Sequence, residues 1–241
     1  MRLLTSPKTA LLAAVLTGAA LGTAQAHQVW LENTDGQARL HFGEFNDNLR
    51  ETSPGSLDKF KGVPVLEQRA GSTTQQVEGK LTQNAFAYTV TGKADTLFAA
   101  ATYPLIDRSK RDLPPLLWQP SARWVASLSQ PVAPGAALDL VPTGKPGQLK
   151  VVYSGAPLPK AKVQLVSPAG WSREAESAAD GTVEFLTPWK GQYVAEVHHT
   201  DKTPGQAQGE PYGEASYVTT LSFVQADGMA SPALPAPPKG H

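Results

Sequence analysis

Residues 27–44, "HQVWLENTDGQARLHFGE", alternate apolar and polar side chains on either side of an Asp-Gly pair. Alternation of period two marks a half-buried strand, and Asp-Gly is a preferred two-residue hairpin turn. The stretch therefore predicts a β-hairpin turning at Asp35-Gly36. Its register would bring His41 opposite Gln28–Trp30 and so close to residue 27.

Further along the chain the same signals recur. "AFAYTVTG" (85–92), "DTLFAAATY" (95–103), "ARWVASL" (122–128) and "AALDLVP" (136–142) read as strands. So do "LKVVYSG" (149–155), "KAKVQLVSP" (160–168), "TVEFLTP" (182–188), "GQYVAEVHH" (191–199) and "ASYVTTLSFV" (215–224). Gly and Pro number 21 each and cut the chain into these short pieces, while helical periodicity is hard to find. The fold class expected is all-β, with two β-sandwich-like modules and an immunoglobulin-like spacing in the second. "VPTGKPGQ" (141–148) is the expected boundary, giving a β-rich domain over 27–143 and a β-sandwich over 147–226. "NDNLRETSPGSLDKFKG" (46–62) reads as a long loop or a short helix around Ser56–Phe60, and loops of this length are often functional. The Pro- and Ala-rich stretch 227–241 has no core pattern and is expected to be disordered.

Residues 1–26 have the form of a secretory signal. Arg2 and Lys8 precede the apolar run "TALLAAVLTGAALG", and "AQA" (24–26) fits the small-x-small cleavage pattern. The run is too short to span a bilayer, and no later segment approaches it. Cleavage after Ala26 is expected, with a periplasmic or secreted product. Removing 26 of 241 residues leaves 215, with 19 basic and 21 acidic side chains once Arg2 and Lys8 are gone. A chain so close to neutral gives no sign of a nucleic-acid partner. With no cysteine, disulfides, thiolate metal sites and cysteine nucleophiles are excluded.

No acid pair, Ser-His-Asp order or phosphate loop stands out, which leaves the histidines. Cleavage would make His27 the first residue, and its free amine could then chelate a metal ion together with its own imidazole. Nitrogen donors of this kind favour nickel, cobalt, copper or zinc over calcium and magnesium. The other reading is a polar residue at a frayed chain end. His198 and His199 close one strand and point to opposite faces. His199 shares the more apolar face with Tyr193, Ala195 and Val197 and is the better candidate for a buried site, with Asp201 able to orient it or add an oxygen. His198 lies on the face of Val194 and Glu196. Both also fit surface positions at a strand end. His41, by alternation, reads first as a solvent-facing strand residue and second as a ligand near His27; Glu44 is a second-rank candidate. His241 falls in the tail. The five tryptophans read as core or sheet-face residues.

"AHQVWLE" (26–32), "LHFGEF" (40–45) and "EVHHTDKTPGQAQGEPYGEASYVTTLSF" (196–223) resemble the domain-of-unknown-function family 4198, over most of the chain from His27 to Val224. "GAPLPKAKVQLVSPAG" (155–170) with "DGTVEFLTPWKGQYVAEV" (180–197) looks like the carboxypeptidase-regulatory or Cna-B type of sandwich. The first resemblance implies a periplasmic protein that captures nickel or cobalt for a separate membrane transporter; the function expected is non-catalytic metal binding of this kind, with copper a further option for the nitrogen donors. Of the site residues, only His27 carries over by position. Two other readings stay open: a secreted copper-dependent oxidative enzyme with a terminal histidine brace, and a metal-free adhesion or scaffold module.

Overall fold

A computed structural model describes residues 27–238. The expected signal segment, residues 1–26, and residues 239–241 with His241 lie outside the described residues. The fold is all-β, as the alternation predicts. Strands numbered in chain order form three main sheets and a small ribbon.

The first sheet has the order β1(Gln28–Thr34), β2(Gln37–Glu44), β7(Phe86–Thr89), β6(Lys80–Leu81), with β3(Leu49–Arg50) also on β2. The hairpin forms in the expected register, with Trp30 opposite His41, and both Asp35 (φ 49°) and Gly36 (φ 77°) adopt the positive φ that its turn requires. The large sheet has the order β14(Ser172–Glu176), β13(Lys162–Val166), β16(Gly191–Asp201), β19(Glu214–Gln225), β9(Leu116–Val125), β8(Thr96–Ala100), β4(Leu66–Ala70), β5(Thr73–Val77). The third sheet holds β10(Leu138–Pro142), β11(Gln148–Tyr153), β12(Ala156–Pro157) and β15(Thr182–Glu184); β17(Gly205–Ala207) and β18(Glu210–Tyr212) form the ribbon. All these pairings are antiparallel except β19 with β9. Segment 46–62 contains β3 and a single 3-10 turn at Ser56–Lys59.

The two sandwiches share the large sheet. Its even face at β9 and β19 (Ala122, Trp124, Val218) meets Val29, Leu31, Leu40 and Phe42 of the first sheet in one core. Its odd face (Val125, Tyr193, Ala195, Leu221, Phe223) meets Leu140, Leu149 and Val151 of the third sheet in a second. A strand buried on both faces needs apolar residues at odd and even positions alike, and "SYVTTLSFV" in β19 supplies them with threonines and serines interspersed. Thr220 is fully buried there, and its Oγ1 donates to the Val29 carbonyl at 2.8 Å.

Two segments differ from expectation. Residues 141–148 form the turn of the β10–β11 hairpin, in which Pro142 pairs with Leu149. The chain passes from the first sandwich to the second between β9 and β10 instead. Residues 227–238, expected to be disordered, make specific contacts. Met229 exchanges backbone hydrogen bonds with Lys190 (2.8 Å) and Pro188 (2.9 Å), and Asn48 Nδ2 donates to the Pro235 carbonyl at 3.0 Å. Prolines lack the donor a sheet needs but leave carbonyls that loops can reach. Among the described residues no helix is long and apolar enough to cross a membrane.

Candidate metal centre

The β1–β2 register sets the position of His27. With Gln28 opposite Gly43, residue 27 stands level with Glu44, on the inner face shared by Val29 and Leu31. Its ring rests on Phe42, 5.0 Å between centroids. Gly43 (φ 144°) then lets β3 fold tightly onto β2, since a Cβ there would collide with the Leu49 carbonyl. The next residue, Glu51, hydrogen-bonds Phe42 O through its backbone N–H at 2.8 Å and is fully buried.

His27 is held between two carboxylates. Nε2 lies 2.6 Å from Glu51 Oε1, and Nδ1 lies 3.5 Å from Glu44 Oε1. An ionised carboxylate only accepts, so the short contact takes the Nε2–H. In the neutral ring the Nδ1 lone pair then faces the Glu44 carboxylate. Two lone-pair donors facing each other need a proton or a cation between them. Two metal–ligand bonds of about 2.0–2.1 Å at roughly a right angle or a little wider span about 2.9–3.4 Å, close to the observed separation.

The charge around Glu44 has the same sense. Burial raises its pKa, a hydrogen bond with Asp47 raises it further, and the charges of Asp47 and Glu196 add to this; only His27 opposes them. Glu196 is buried and pairs with His198, whose side chain is 44% exposed. Two tethers explain this placement. Gln192 Nε2 donates to the Leu31 carbonyl at 3.1 Å, and Thr220, the cross-strand partner of Glu196, reaches Val29. Moving along β16 from Gln192 to His198 thus follows β1 back towards His27.

The other two candidates lie elsewhere. His199 occupies the odd face of β16, where its ring packs on Tyr153 at 4.1 Å. Tyr153 donates to Asp201 Oδ2 at 2.6 Å; this bond, a second from Thr203 and the His199 charge hold the Asp201 pKa down at about 2. The apolar face that favoured His199 belongs to the second core, and the large sheet separates it from His27. His41 is only 3% exposed, contrary to the expectation of a solvent-facing residue. The outer face of the first sheet is covered at its β1 edge, because Trp30 and Phe45 pack on Val166 and Val194 of the large sheet. His41 stacks on Trp30 at 5.3 Å, with Nδ1 3.0 Å from the Asn84 carbonyl and Nε2 3.5 Å from Glu32 Oε2. Burial alone would raise the Glu32 pKa. The hydrogen bond and charge of His41, the Trp30 indole N–H and Arg50 outweigh it and hold the carboxyl well below its usual range.

His27, Glu44 and Glu51 therefore form one inner-face cluster; Asp47 hydrogen-bonds Glu44 from the neighbouring turn, and Glu196, paired with His198, lies close enough for its charge to act on Glu44. Asp47, Glu51 and Glu196 were not singled out in the sequence. Glu51 gave no alternation signal, although the segment that carries it did stand out by length. Among the described residues, no group of three or more His, Asp or Glu side chains forms a metal site unaided. Compared with known proteins, the chain matches no protein-family model and no curated protein.

Proposed function

We propose that the protein is an exported, non-catalytic carrier of a transition-metal ion, nickel or cobalt with copper as a further option, which passes the ion to a transporter made of other chains. Removal of residues 1–26 frees the His27 amine, which chelates together with Nδ1. Glu44 adds an oxygen. Glu51 takes no part in ligation but holds the ring through Nε2, as carboxylates beside metal-bound histidines commonly do. His198 and Glu196 stand at the rim as further donors. His41 and His199 serve packing. The observation that carries this reading is the 3.5 Å gap between His27 Nδ1 and Glu44 Oε1, with the opposite ring nitrogen committed to a buried carboxylate.

Protons compete for the amine and the imidazole, so affinity falls as pH falls. The test is calorimetric titration of nickel, cobalt and copper into the exported protein, its first residue established by mass. A variant carrying one extra residue before His27 keeps every side chain but loses the chelate, and its affinity drops. Equal affinity in the two proteins would overturn the proposal.

A further inference from the structure

An edge strand presents unpaired N–H and C=O groups to any strand that approaches, and proteins usually guard it with charge, proline, shortness or a cover. Most edges here are guarded. β14 carries Arg173, Glu174 and Glu176. β6 is two residues long and begins with Lys80. β10 contains Asp139 and Pro142, and the Val132 N–H covers the Pro142 carbonyl at 3.3 Å. Along β1, the carbonyls of Val29 and Leu31 are taken by Thr220 and Gln192.

β5 has none of these guards. Its sequence "TTQQV" carries no charge and no proline, and its first four residues are exposed. Among the described residues its only strand partner is β4, and no further backbone bond reaches it. Val65, 49% exposed, stands just before Leu66, the residue that pairs with Val77 at the end of β5.

We infer that β5 is a self-association edge, along which two copies of the chain pair antiparallel about a two-fold axis through Gln75. The sequence suits a second copy. That axis sets Gln75 against Gln75, Thr74 against Gln76 and Thr73 against Val77. The first charge beyond the strand, Glu78, falls opposite Ser72, so no charge meets its own mate; like charges directly opposite are what such a pairing cannot tolerate. Acidic and basic residues balance at 21 each in the full chain, so two copies do not repel at long range. A strongly charged partner finds nothing complementary on this strand. The contact is isologous and closes at two, so an uncharged Gln/Thr edge does not propagate into a fibre.

The test is analytical ultracentrifugation of the exported chain across a concentration series, with hydrogen exchange of the β5 amides at both ends of the series. The expected result is a concentration-dependent dimer in which amides within 73–77 are protected. The double variant T74K/Q76K places lysines on the exposed face of the edge; it is expected to be monomeric, with an unchanged circular dichroism spectrum. E174K on β14 is expected to leave the dimer intact. A monomer at every concentration, a dimer that survives T74K/Q76K, or β5 amides that stay open in the dimer would each overturn the inference.

Discussion

Replacing Asp139 with alanine probes the joint between the two sandwiches. Asp139 begins the second sandwich on β10, is 1% exposed, and accepts Arg123 Nε at 3.1 Å and Nη2 at 2.5 Å. Its Oδ2 also takes the backbone N–H groups of Gly135 (2.9 Å) and Ala136 (3.3 Å), which fixes the connection from β9. Arg123 is 5% exposed, and its guanidinium lies 4.9 Å from the Phe98 ring centroid. D139A leaves that guanidinium buried without its anion. Breaking a buried pair from one side costs about 3–5 kcal/mol, because the surviving charge has lost both water and partner. The double variant R123M/D139L removes both charges and fills the space with apolar atoms. Its cost is expected at about 0–2 kcal/mol, the remainder reflecting the three backbone amides, of Gly135, Ala136 and Leu140, that lose the carboxylate as acceptor. Urea unfolding followed by tryptophan fluorescence and circular dichroism measures wild type, D139A and the double variant, Trp124 being the chain neighbour of Arg123 on the other face of β9. A D139A loss below about 1 kcal/mol, or a double variant at least as costly as D139A, would refute the reasoning.

Further predictions concern the carboxylates. E51Q keeps the shape of the side chain but weakens its hold on His27 Nε2; nickel affinity by calorimetry is expected to fall about 10–100-fold, with an unchanged far-UV spectrum. An unaltered affinity would remove Glu51 from the site. Burial works to raise the Glu32 pKa, but His41, Trp30 and Arg50 hold the folded carboxyl below the ordinary carboxylate range, so its stabilisation is present above that range and is lost as pH falls through the acid range. E32Q is therefore expected to be less stable near neutrality by on the order of 2–3 kcal/mol, and the gap to wild type to close as pH drops from about 5 towards 2. Unfolding curves across that range that stay parallel would contradict the assignment.

Much of the fold was legible because alternation and turn chemistry are local. The hairpin at 27–44, its Asp35-Gly36 turn, the second half of β9 and the strands ending in Pro142, Tyr153 and Asp201 follow from side-chain period and Gly/Pro positions. β5 and β14, "TTQQV" and "SREAE", were missed because exposed edge strands bury no face and so show no apolar alternation. The boundary at 141–148 was misplaced for a related reason: Gly and Pro punctuate a hairpin turn in the same way as a linker. The opposite facing of His198 and His199 was correctly read from period two. Which face meets His27 was not, because β16 is buried on both sides and hydrophobicity does not distinguish the two cores. His41 illustrates the same limit, since its cover comes from Val166 and Val194, far away in sequence.

The parallel seat of β19 between β9 and β16 has a consequence for the order of assembly. Among the described strands this one leaves the ribosome after all the others, yet it is the seam on which both hydrophobic interiors are stitched together. Until residues 214–225 arrive, β9 and β16 have no common neighbour, and the His27 end cannot be brought level with Glu196. Assembly of the cluster around His27 thereby waits on residues 214–225, and a chain cut short before β19 forfeits both halves at once.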